Sequence, residues 1–68
     1  MTTLILTLML HIVVYNYDNG DTLYNYWQRV DASRAVCIRM GVDKALPVVT
    51  EIRKELPNAS ANVTCKPA

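Results

Sequence analysis

The side chains here that could do chemistry are few: one histidine, two cysteines and four tyrosines, with no phenylalanine and a single tryptophan. Nucleophilic catalysis needs a base beside a Ser, Cys or Thr and an acid to orient it. His11 is the only histidine, and no spacing brings Cys37 or Cys65 to it. It therefore reads as a structural strand residue, and no catalytic residue is assigned. Asp18-Asn19-Gly20-Asp21-Thr22 has some of the oxygens of a calcium loop but lacks the further donors and the distal Glu. One His with two Cys falls short of the four ligands of a structural zinc site. No metal and no cofactor are expected. Arg29, Arg34, Arg39, Arg53, Lys54 and Lys66 are interleaved with acidic residues, and Arg34 and Arg39 do not share a helix face. They read as a solvated surface, which argues against nucleic acid as the partner. Asn58-Ala59-Ser60 and Asn62-Val63-Thr64 both have the glycosylation pattern, which has meaning only in a eukaryotic secreted protein.

The cysteines allow one intramolecular pairing. Cys37–Cys65 is either a disulfide or two buried thiols, and the choice follows the redox compartment. The tyrosines carry more information. Tyr15, Tyr17, Tyr24 and Tyr26 flank one turn. Tyrosine suits an interface because it offers area and a polar tip with little rotamer entropy to lose. Cross-strand aromatic pairing that merely stabilises a hairpin is the structural alternative.

The elements that hold these residues follow from periodicity. Residues 4–30 read as a β-hairpin. Along Leu4–Tyr15 the even positions Leu4, Leu6, Leu8, Leu10, Ile12 and Val14 are all aliphatic, while the odd positions are mixed. Successive strand side chains face opposite ways, so the even set is the core face. Asn19-Gly20 is a strong hairpin turn, since both tolerate positive φ. Thr22–Val30 returns. A two-residue turn pairs Tyr15 with Tyr24 and Val13 with Tyr26, placing the tyrosines outside with Leu23 and Trp27 in the core. A three-residue turn with a bulge at Gly20 sends Tyr24, Tyr26 and Val30 to the core and sets Trp27 beside His11. The two-residue turn is preferred, because Trp27 is a natural core anchor.

Asp31 reads as the N-cap of a helix over Ala32–Met40, ended by Gly41. A second helix starts at Asp43 or Leu46, with Pro47 in its first turn and a stripe of Ala45, Val48, Val49, Ile52 and Leu56. Pro57-Asn58 stops it, and Ala61–Lys66 alternates as a short third strand. The expected fold class is α+β, in the order ββααβ, as one domain over residues 1–68.

Composition supports a folded chain: 68 residues, 51% hydrophobic, 19% charged and a net charge of +1. Domains near this size bury only about 60% of their unfolded surface, so a staple or a partner is a common need. Met1-Thr2-Thr3 lacks the basic residues of a signal peptide, and the apolar run is too short for a membrane helix, for which about 20 residues are needed. No transmembrane segment is expected.

The layout resembles short phage- or prophage-encoded proteins of unknown function. The features that carry the resemblance are the apolar strand Leu4–Tyr15, the turn Asn19-Gly20, the aromatic return Tyr24–Val30, Asp31-Ala32-Ser33 leading to Cys37, and Cys65-Lys66-Pro67. The sequence departs from them in lacking cysteines around the turn and in its longer second helix. The resemblance implies an inhibitor or modulator of a host protein, of the anti-defence and anti-CRISPR kind; the expected location is the host cytoplasm. Together these readings give a non-enzymatic protein-binding module using Val13, Tyr15, Tyr17, Tyr24 and Tyr26. The alternatives are a homodimeric structural protein, or an envelope-associated, periplasmic or secreted protein stapled by Cys37–Cys65.

Overall fold

The computed structural model describes residues 5–68. The element order is β1 (Leu6–Asn16), β2 (Thr22–Ala32), α1 (Arg34–Arg53) and β3 (Ala59–Pro67), an α+β fold. The three strands form one antiparallel sheet in the order β2-β1-β3. Met1-Thr2-Thr3 and Leu4, read above as a retained N-terminus and the first strand residue, lie outside the described residues.

The even face of β1 is the core, as its pattern requires. Leu8, Leu10, Ile12 and Val14 are fully buried beneath α1, beside Val30, Cys37, Ala45, Val49, Ala59 and Cys65. The helix lies mainly over β3 and β1 and barely touches β2. A disulfide joins Cys37 in the helix to Cys65 in β3, with a Cα–Cα distance of 6.3 Å. In the chain-entropy model a loop of this size contributes about 3–4 kcal/mol.

The hairpin register differs from the preferred reading. Trp27 pairs with His11, Tyr26 with Ile12 and Tyr24 with Val14. Tyr24, Tyr26 and Val30 thus lie on the helix-covered face, and Trp27 lies on the other. The reason is the cost of burying charge. The two-residue turn would have put Asn25 and Arg29 on the helix side in place of the buried Val30, whereas a tyrosine such as Tyr26 can be half buried with its hydroxyl still hydrogen-bonded. The loop is longer than either expected turn. The Asn16 carbonyl accepts from the Gly20 N–H (2.7 Å) and the Asn16 N–H donates to the Asp21 carbonyl (2.8 Å), leaving Tyr17–Gly20 as the loop. Gly20 supplies the left-handed residue, with φ of 77°. The side-chain oxygens of Asn16 and Asn19 accept from the amides of Asp18 and Asp21. The pairing skips Leu23, so the bulge sits there rather than at Gly20.

The second difference is in the helix. One continuous helix of 20 residues replaces the two expected. Its N-cap is Ser33, whose hydroxyl accepts from the Val36 N–H at 3.3 Å, because β2 continues through Asp31. Gly41 does not end it. Cys37, Gly41, Ala45 and Val49 recur every four residues as the buried stripe, and that stripe runs straight past the glycine. A Cβ at position 41 would lie 2.7 Å from Leu10 Cδ1 and closer still to Val63 Cγ1. Gly41 therefore marks a close helix–sheet approach, where any side chain would force Leu10 and Val63 to shift. Pro47 sits on the exposed side, where losing one backbone bond is offset by the packing of the opposite face.

Candidate functional site

The face of the sheet away from the helix is built from the odd residues of β1 and their partners. Reading across the strands, one row is Arg29–Met9–Lys66, the next Trp27–His11–Thr64, the next Asn25–Val13–Asn62, and the last Thr22–Tyr15–Ser60. No described element packs on this face. Its centre is aromatic. His11 and Trp27 stack with ring centroids 3.6 Å apart and planes 5° from parallel. Asn25 Oδ1 lies 2.5 Å from His11 Nε2, which fixes the imidazole plane. Trp27 is nonetheless 57% exposed. Since His11 comes from β1, the uncovered indole face is turned towards the free edge of β2.

The expected binding tyrosines are divided between two faces. Tyr15 and Val13 lie on the open face, half buried, and Tyr17 lies in the loop, 73% exposed. Tyr24 and Tyr26 lie on the helix side, stacked with centroids 6.4 Å apart. There Lys44 Nζ donates to the Tyr26 hydroxyl (2.9 Å) and sits 4.2 Å from its ring centroid. That hydroxyl donates in turn to Gln28 Oε1 at 3.0 Å. The hydrogen bond to Tyr26 raises the Lys44 pKa above 10.5. The register thus takes Tyr24 and Tyr26 out of a shared surface with Tyr15. Trp27 and His11 take their place, and the signal for them was the alternative register, which set those two side by side.

The remaining chemistry is sparse. Cys37 and Cys65 are bonded to each other, so neither is a thiol near His11. Among the described residues no group of three or more His, Cys, Asp and Glu side chains could hold a metal ion. Among them, too, no helix is long and apolar enough to cross a membrane. Asp18, in the calcium-like loop, accepts instead from Asn58 Nδ2 through both carboxylate oxygens at 3.0 Å, tying that loop to the entry of β3. Of the basic residues, Arg29 and Lys66 share the open face, and Arg29 Nε lies 3.8 Å from Asp31 Oδ1. The chain matches no known protein family, no curated protein and no solved structure.

Proposed function

We propose that this chain is a small non-enzymatic binding module that occludes part of a partner protein with the open face of its sheet. The observation that carries the reading is Trp27, more than half exposed at the centre of an uncovered face yet held rigid by its stack on His11. A preorganised indole loses little entropy on binding, and tryptophan is among the residues that most often dominate interface energies. Met9, Val13 and Tyr15 extend the apolar area, while Asn25, Asn62, Thr64, Arg29 and Lys66 supply a polar rim. The resemblance to short phage- and prophage-encoded proteins makes the partner a host protein, and the activity inhibition of the anti-defence kind.

The test is capture of the partner from extracts of the natural host with the tagged chain. Trp27→Ala with Tyr15→Ser is expected to weaken capture by roughly 30-fold or more, the effect of losing a hot spot. Arg39→Glu, on the helix, should leave it intact. Undiminished capture by a double variant with unchanged circular dichroism would overturn the reading. A second reading concerns location. The Cys37–Cys65 bond favours an oxidising compartment, and with it an envelope-associated, periplasmic or secreted protein over a cytoplasmic one.

A further inference from the structure

The backbone of β2 is half used. The Tyr17 N–H donates to the Asn58 carbonyl and the Ala68 N–H to the Thr7 carbonyl, so the odd residues of β1 bond towards β3. The even residues of β1 therefore bond to the even residues of β2. Asn25, Trp27, Arg29 and Asp31 are left with N–H and C=O groups directed outwards along the free edge. Natural edges are usually blunted by proline, by lysine, by short length or by a covering element. On β2 the devices are slight, a bulge at Leu23 and the opposite charges of Arg29 and Asp31: it runs 11 residues, carries no proline or lysine, and the helix is displaced towards β3. The other edge, β3, ends in Pro67 and lies beneath the helix.

We infer that the free edge of β2 pairs antiparallel with the β2 of a second copy, about a two-fold axis through Gln28, making one continuous six-stranded sheet. The side chains select both the occupant and the register. With Gln28 on the axis, Trp27 lies opposite Arg29 of the second copy, and Asn25 lies opposite its Asp31. The uncovered face of the indole then receives a guanidinium, extending the His11–Trp27 stack by a cation. The Asn25 amide nitrogen meets a carboxylate. On the helix side Tyr26 meets Val30 and Tyr24 meets Ala32. Both ladder contacts occur twice by symmetry, and the outward groups of residues 25, 27, 29 and 31 pair only with one another. The neighbouring registers fit worse. An axis through Trp27 sets Asp31 against Leu23 at the bulge, and one through Arg29 opposes like charges. Residues opposite each other share a face, so the two open faces merge into one surface with both helices behind it. This pairing does not depend on the partner reading above, and its test involves no partner.

Light scattering and sedimentation of the whole oxidised chain should give twice the monomer mass. Arg29→Ala removes both cation–indole contacts and is expected to weaken the dimer by roughly 5- to 30-fold. Backbone N-methylation at Arg29, accessible by chemical synthesis at this length, blocks the edge without touching the β1 ladder and should give a monomer. Gln28→Cys places two thiols on the axis in a non-hydrogen-bonded pair, within reach of an intermolecular disulfide. It should crosslink in mild oxidant, whereas Arg29→Cys should not. A wild-type chain that stays monomeric up to millimolar concentration overturns the inference. So does a dimer indifferent to N-methylation at Arg29, or one in which Gln28→Cys fails to crosslink.

Discussion

Gly41→Ala inverts the usual expectation for a helix. In a solvent-facing helix interior the change stabilises by about 1 kcal/mol, because alanine loses less backbone entropy. Here the new methyl would stand 2.7 Å from Leu10 Cδ1 and nearer still to Val63 Cγ1, where carbon atoms prefer about 3.5–4.0 Å. Leu10 is fully buried, and Val63 is β-branched and stiff at χ1. The helix must therefore lift from the sheet by roughly 1 Å to restore contact distance. Overpacking of this kind costs about 1–3 kcal/mol. With the propensity gain subtracted, net destabilisation of about 1–2 kcal/mol is expected near the upper half of that range. For a domain this small, each kcal/mol moves Tm by about 4–8 °C. Thermal unfolding followed by circular dichroism reads the shift. Val63→Ala in the same chain vacates the space, so the pair should lose less than the sum of the single changes. A Tm raised by Gly41→Ala would refute the reasoning. It would mean that position 41 is open to solvent and does not pack against the sheet.

Two further outcomes follow from the fold. Replacing Cys37 and Cys65 with Ser should cost about 3–4 kcal/mol, against a total of about 3–10 kcal/mol for a chain of this length, so urea titration should show the variant losing about a third or more of its stability. Intact mass with and without reductant, after alkylation, should show no free thiol in the native protein. Ser33→Ala should destabilise by about 1 kcal/mol through loss of the bond to the Val36 amide, while Asp31→Ala should change stability by less than about 0.5 kcal/mol. Equal effects of the two changes would contradict the assignment of Ser33 as the cap.

Much of this protein was legible along the chain because the governing interactions are local. The unbroken aliphatic set at the even positions of β1 defined the buried face, and Leu8, Leu10, Ile12 and Val14 occupy it. Gly20 marked the reversal, since tolerance of a positive φ is a property of the residue itself, whereas Asn19, expected to share it, has no positive φ. The third strand was visible in its alternation, though it begins at Ala59, two residues before the expected start. The α+β class followed from these elements and from the stripe of Ala45, Val49 and Ile52.

Where the sequence pointed the wrong way was parity and continuity, and both are properties of the assembled chain. One residue of slip in the hairpin exchanges every side chain of β2 between faces, and the local turn energies of the two registers are close. The observed register buries Val30 and half-buries Tyr24 and Tyr26 on the helix side, and keeps Arg29 on the open face. The candidate surface changed with that register, from four tyrosines to the Trp27–His11 stack. Continuity of the helix was settled in the same way. Gly41 is by its own propensity a terminator, and only a sheet close enough to exclude a Cβ makes it a packing residue. Propensity is worth about 1 kcal/mol per glycine, and a buried stripe of four residues outweighs it.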